Sequence, residues 1–235
     1  SGGIVPNIRN IYGSRRLNVL EVYDPKTGES TPVADRMTVP RTQHTALRLP
    51  DGRVLLIGGT SRDVVDSFDP KTGKVHKAGQ LIQGRRGAAV GLTSKGRAIV
   101  AGGDRRGRSL DTVELFDPDR HLSTRLDGRL DHGTADMVIV PLGDDRFALI
   151  GGETNGAGQG GRDVTRDRVY VVDARTKSVK PIGRCRVTRD DSTATRLPDG
   201  SILVVGGEDD REQGRRCAEI LNIDNPKDHP GREDP

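Results

Sequence analysis

The amino-acid sequence predicts an all-β chain assembled from repeated units of four short antiparallel strands, and three recurring features carry that expectation. A diglycine follows a short β-branched or apolar run at Gly58-Gly59, Gly102-Gly103, Gly151-Gly152 and Gly206-Gly207, with a further pair at Gly2-Gly3; the spacings are 56, 44, 49 and 55 residues. A repeat of that length marks an architecture of stacked supersecondary units. Six residues before each of the four later diglycines lies turn chemistry, at Pro50-Asp51-Gly52, Ser94-Lys95-Gly96, Gly143-Asp144-Asp145 and Pro198-Asp199-Gly200, which supplies the positive φ of a hairpin reversal. The third feature is a shared ending downstream, in which an apolar or aromatic residue precedes Asp: Tyr23-Asp24-Pro25, Phe68-Asp69-Pro70, Phe116-Asp117-Pro118 and Val172-Asp173-Ala174.

The strands follow in order from these markers. Thr45 to Leu49, Ala88 to Leu92, Met137 to Val140 and Thr193 to Leu197 form the first strand of each unit, and Val54 to Ile57, Ala98 to Ala101, Phe147 to Ile150 and Ile202 to Val205 the second. After the diglycine comes a variable polar loop and a third strand ending at the Asp. The run Lys-Thr-Gly after Asp24-Pro25 and Asp69-Pro70 is turn chemistry leading into a weaker fourth strand such as Lys74 to Ala78. Four antiparallel strands per unit of about 50 residues is the pattern of a β-propeller blade, and no segment has a helical period.

Composition agrees with many small sheets, each burying a little. The chain has 235 residues with no Trp, three Tyr and three Phe, so a single large core would be poorly filled. Its longest apolar stretches are a few residues, far below the roughly 20 of a spanning helix, and membrane insertion is not expected. Net charge is +4, with 30 Arg and eight Lys. That balance implies no polyanionic partner by itself, although Arg suits recognition of carboxylate or sulfate. With almost no aromatics for base stacking, nucleic acid is excluded as a partner.

These residues resemble the kelch repeat. The apolar run, diglycine, loop and aromatic-Asp-Pro-x-Thr-Gly carry the likeness, and Arg41-Thr42-Gln43-His44-Thr45-Ala46 followed by Leu49-Pro50-Asp51-Gly52-Arg53-Val54 resembles bacterial kelch propellers of the galactose oxidase central-domain type. The resemblance implies one propeller over residues 1–225, with a partial first blade over 2–36, blades over 41–80, 85–127 and 131–183, a partial fifth over 189–222, and a polar tail over 226–235. Such a phase is expected of an incomplete ring. The repeat usually carries a Trp in its fourth strand; Ser30, Val75, Leu122 and Val179 stand there instead. Kelch propellers include scaffolds, ligand binders, sugar mutarotases and copper oxidases, so the resemblance implies a fold more narrowly than an activity.

Strand direction places the inter-blade loops and the post-diglycine loops on one face, opposite the tight turns, and binding residues ride on such variable loops. The expected function is a non-catalytic module that binds a protein or glycan partner through this face; the alternative is a carbohydrate-active enzyme of the mutarotase or oxidase type. Candidate ligand-binding residues are Arg105, Arg106 and Arg108 in one loop, and Arg41, Arg85 and Arg189, each 17 residues before its diglycine, where a ring of guanidinium groups would suit an anion. Thr134 at the same spacing interrupts that ring and favours a structural role for the three. Gly58, Gly59, Gly102, Gly103, Gly151, Gly152, Gly206 and Gly207 are read as structural. No catalytic residue, metal site or cofactor is indicated: the five His show no ligand spacing, and Tyr12, Tyr23 and Tyr170 are not placed as a copper oxidase would need. Cys185 and Cys217 fall on the same face of one blade and form a candidate disulfide, which would suit a periplasmic or extracellular protein.

Overall fold

The structure is a computed structural model and describes residues 3–6, 14–155, 163–211, 213, 214 and 216–223. Gly2, Tyr12 and the tail over 226–235 lie outside these residues. The chain is all-β, with no helix among the described residues and so none long and apolar enough to cross a membrane.

A short hairpin, β1 (Gly3–Pro6) with β2 (Ser14–Leu17), precedes a two-stranded first unit of β3 (Glu21–Asp24) and β4 (Glu29–Pro32). The second unit runs β5 (His44–Arg48), β6 (Val54–Gly58), β7 (Val64–Asp69) and β8 (Lys74–Gln80), each strand antiparallel to the next. The third repeats that order with β9 (Ala89–Leu92), β10 (Ala98–Ala101), β11 (Val113–Asp117) and β12 (Leu122–Arg125). One parallel bridge, Leu122 to Gln80, joins these two units into an eight-stranded sheet. In the fourth unit β13 (Val138–Gly143) and β14 (Arg146–Ile150) are followed by a minor hairpin, β15 (Glu153–Thr154) with β16 (Val164–Thr165), before β17 (Arg168–Asp173) and β18 (Ser178–Arg184) complete the sheet. The fifth has three strands, β19 (Thr193–Arg196), β20 (Ile202–Val205) and β21 (Ala218–Leu221).

Apolar residues from successive units form separate small cores, as expected of a chain poor in large side chains. Leu55, Ile57 and Val65 of the second unit meet Val90, Val100 and Phe116 of the third. On the other face of the third unit, Ile99, Val113 and Leu115 meet Phe147, Leu149 and Tyr170 of the fourth. Ala148, Ile150 and Val169 then meet Ile202, Val204 and Leu221 of the fifth. The first strands β5, β9, β13 and β19 lie side by side, so the units share an inner edge.

Local chemistry explains the repeated turns. At Asp24, Asp69, Asp117 and Asp173 the carboxylate accepts the backbone N–H two residues on, at 2.8, 2.8, 3.1 and 2.8 Å, an Asx-turn that stops the third strand. The residue four after each Asp then takes a left-handed backbone: Gly28 (φ 76°), Gly73 (69°), His121 (60°) and Lys177 (57°). The diglycines serve close approach. Gly102 and Gly103 have φ of 60° and 91°; a Cβ on Gly103 would meet the Arg86 carbonyl at 2.7 Å, and one on Gly102 would collide with the Thr134 carbonyl of the next unit. Gly103 N donates to that same Thr134 oxygen at 2.8 Å, so the pair without side chains is what lets neighbouring units touch backbone to backbone.

Two expectations are corrected. Arg41, Arg85 and Arg189 line no opening, because all three side chains are 0% exposed and their terminal Nη atoms are bonded within the fold. Their Nη1 atoms donate to the first glycine carbonyl of the same unit, Gly58 (2.7 Å), Gly102 (2.7 Å) and Gly206 (3.0 Å). Each also pairs with a third-strand carboxylate: Arg41 with Asp66 at 2.9 Å, Arg85 with Glu114, and Arg189 with Glu219 at 2.6 Å. Burial lowers the Arg41 and Arg85 guanidinium pKa values while the carboxylates oppose the shift. The candidate disulfide is not formed either. Cys185 is packed among Val169, Ile202 and Leu221, Cys217 is exposed, and both are free thiols.

Candidate functional site

The two ends of the units differ in what they present. One carries only tight turns, whereas the other carries the post-diglycine loops and the segments that lead into the first strands. Between the long loops of the third and fourth units lies a groove of about 1510 Å³. Its wall is the loop Arg105-Arg106-Gly107-Arg108. Arg105 N donates to Arg108 O at 2.9 Å and Arg108 N to Arg105 O at 3.3 Å, and Arg106 (φ 57°) and Gly107 (φ 80°) fill the turn between them. Positive φ at both central residues is the tight reversal that matches strand twist. Asp104 holds the base of this hairpin, accepting Gly107 N at 3.2 Å and Arg86 Nη2 at 3.0 Å.

The opposite wall is tied down by its own charges. Asp111 pairs with Arg129 at 2.9 Å and Asp131 with Arg168 at 2.8 Å. Asp210 accepts Thr165 N at 2.6 Å, and Arg166 Nε donates to Thr154 Oγ1 at 2.8 Å. Arg125, His132 and Arg211 also line it. Among the described residues no carboxylate stands within ion-pair distance of Arg105, Arg106, Arg108, Arg125 or Arg211. Of the arginines picked out in the sequence, the structure therefore brings Arg105, Arg106 and Arg108 to an open site and withdraws Arg41, Arg85 and Arg189 into the fold. A smaller depression of about 730 Å³ lies on the short-turn face, beside Lys95, Arg97 and Arg146.

Toward the shared inner edge, the same long-loop face becomes acidic. Gln43, Gly87, Asp136 and Asp191 occupy one repeat position, two residues after Arg41, Arg85, Thr134 and Arg189, and all have positive φ. Gly87 N donates to Gln43 O at 3.2 Å and Asp136 N to Gly87 O at 2.8 Å, linking unit to unit. Burial raises the Asp136 carboxyl to about 6, with Asp191, Asp190 and Asp104 adding repulsion. Burial likewise raises Glu153 to about 7, helped by Asp163, Asp190 and Asp136, and shifts Asp190 upward. His44 is lowered to about 4 by burial first. Among the described residues no three His, Cys, Asp or Glu side chains are grouped to hold a metal ion.

Two residues of this chemistry escaped the sequence reading. Asp136 shows a signal only when the four units are aligned on Arg41, Arg85, Thr134 and Arg189. Tyr170 is the other. Register pairs Leu56 with Asp66, Val100 with Glu114, Val204 with Glu219 and Leu149 with Tyr170, so Tyr170 takes the carboxylate's place. Each carboxylate accepts the N–H three residues before its Arg, from Thr38 (3.1 Å), Ile82 (2.8 Å) and Arg186 (2.9 Å). Tyr170 Oη accepts Asp131 N at 3.0 Å, three residues before Thr134. Thr134 with Tyr170 is thus a neutral replacement for the whole Arg–carboxylate pair.

No family model matches the chain, and no curated protein matches it. Among solved structures, that of YjhT is similar, with a TM-score of 0.74 over 95% of this chain and 78% of that one at 17% sequence identity. At that identity the likeness is one of fold.

Proposed function

We propose that the chain is a kelch-type β-propeller of four-stranded blades and that it works as a non-catalytic binding module, engaging a protein or glycan partner through its long-loop face. Support for the propeller comes from the repeated strand order, the adjacent first strands and the small cores between successive sheets. The observation that carries the binding role is the groove itself: Arg105, Arg106, Arg108 and Arg211 of the variable loops and Arg125 at the end of β12 line it with no acidic partner among the described residues, while the repeat-position arginines are consumed by the fold. Hydrogen exchange with and without a bound ligand tests this reading. Protection is expected over residues 104–112 and 163–166 and not over the turns 50–52, 94–96 and 198–200. Protection confined to those turns overturns it.

A second reading, a carbohydrate-active enzyme, is favoured by one observation. Glu153 and Asp190 are neighbouring carboxyls with raised pKa values beside Asp136, and carboxyls held in different protonation states are what acid–base chemistry on a sugar needs. Anomeric exchange or oxidation of a free sugar that disappears in Glu153→Gln would establish it at the expense of the first.

A further inference from the structure

We infer that the groove between the third and fourth units takes a linear acidic polysaccharide, whose sulfate or carboxylate groups are held by Arg105 and Arg108; this rests on the binding-module reading above. Arg105 and Arg108 exchange both backbone hydrogen bonds, so they stand directly opposite each other with side chains on the same face of the hairpin. Like charges in that relation oppose each other, and among the described residues no carboxylate relieves them. Arg106 adds a third guanidinium at a turn position with φ 57°, where Asn, Asp or Gly is the favoured residue. A hairpin that accepts both repulsion and a disfavoured backbone for three arginines is arranged around an anion.

The lining narrows which anion. It holds no Phe, Tyr or Trp, and its one imidazole, His132, is no run of stacking platforms for successive bases. Its hydrophobic members are Leu110 and Val164, so it lacks the Trp and Tyr anchors that protein partners use beside Arg. On the Arg105–Arg108 side this leaves guanidinium forks for carboxylate or sulfate, with Gln83 and Thr154 for sugar hydroxyls, while the lining carboxylates Asp111, Asp131 and Asp210 are bonded to Arg129, Arg168 and Thr165. The volume of about 1510 Å³ exceeds the usual small-molecule pocket and suits a run of several sugar rings.

The test is calorimetric titration of the full chain with a sulfated heparin-type oligosaccharide, polygalacturonate, monomeric galacturonate, neutral dextran, poly-glutamate and oligothymidylate. The expected result is saturable binding of the sulfated or uronate polymer, weaker for the monomer and falling as salt rises. Arg105→Gln with Arg108→Gln should lower that affinity tenfold or more, while Lys95→Gln with Arg146→Gln on the opposite face should leave it within twofold. Equal loss in the two double variants would reduce the effect to net charge and overturn the site. Dextran binding lost with Arg105 and Arg108 would overturn the acidic class yet keep the binding module. Poly-glutamate or oligothymidylate binding as tightly as the polysaccharides would overturn the carbohydrate assignment, and no binding by any polymer would overturn the inference. The exchange mapping described above decides the module reading separately.

Discussion

Replacing Arg85 by Met probes the force that locks each first strand to its own sheet. The guanidinium gives up bonds to Gly102 O (2.7 Å), Thr112 O (3.0 Å) and Glu114. Glu114, also 0% exposed, keeps only the N–H groups of Ile82 (2.8 Å) and Gln83 (3.1 Å). Stranding one partner of a buried pair costs about 3–5 kcal/mol, and the orphaned Gly102 carbonyl adds about 1 kcal/mol or more. The expected loss is thus about 4–6 kcal/mol, a large fraction of the roughly 5–15 kcal/mol that holds a domain together. The fourth unit supplies the control, since it holds Thr134 and Tyr170 at the same two places. Arg85→Thr and Glu114→Tyr should each cost about 3 kcal/mol or more, yet the double variant should recover at least about 2 kcal/mol of their sum as coupling. Urea unfolding of the wild type, the two single variants and the double variant, at constant slope, measures this cycle. Additive losses, or a loss below about 1 kcal/mol for Arg85→Met, would refute the account of the pair as one interchangeable device.

Lys177→Gly relieves a left-handed backbone at the place where Gly28 and Gly73 stand in other units, and should raise stability by about 1 kcal/mol in the same urea assay. Asp136 binds its proton more tightly folded than unfolded, so its ionisation cost is absent below about pH 4, grows as pH rises toward 6 and is complete above. Asp136→Asn should therefore stabilise by roughly 2 kcal/mol at pH 8 and by little at pH 4, seen as a pH-dependent difference in Tm between variant and wild type. Cys217, exposed, should react with iodoacetamide in the native protein, whereas Cys185, buried and pushed up to about 12, should react only on unfolding; peptide mapping reads both. Arg106→Asn should raise Tm while weakening polysaccharide binding, since Asn suits the turn and carries no charge.

Strand order, turn positions and the pairing of diglycine with positive φ were legible because each is written in local chemistry: Asp51-Gly52, Asp69-Pro70 and Gly58-Gly59 act on their own backbone. The candidate site was legible only in part. Arg105-Arg106-Gly107-Arg108 announces itself as a charged turn, but the partners of Arg85 and Arg189 lie 29 and 30 residues downstream, and spacing alone does not say that a loop folds back to bring Glu114 and Glu219 beside them. Tyr170 was opaque for the same reason, since a Tyr in an apolar strand reads as core until its hydroxyl is seen on Asp131 N. Cys185 and Cys217 illustrate the limit of face assignment. Both belong to one unit and one end, but Cys185 packs into the apolar core, whereas Cys217 is an exposed residue whose Sγ accepts from Arg189 Nη2 at 3.6 Å.

The arginines thereby divide by whether they obey the repeat. Arg41, Arg85 and Arg189 recur at one offset because the fold needs a fork that reaches a glycine carbonyl and a carboxylate at once, a geometry that Lys cannot supply. Arg105, Arg106, Arg108 and Arg211 sit in loops whose length and composition change from unit to unit, and no carboxylate among the described residues pairs with them. In a repeated fold, a residue required for assembly must reappear wherever the same joint is made, or be replaced together with its partner, as at Thr134 and Tyr170. A charged residue that appears once, exposed and without a partner, is free of that demand, which is why the groove is sought in the departures from the repeat.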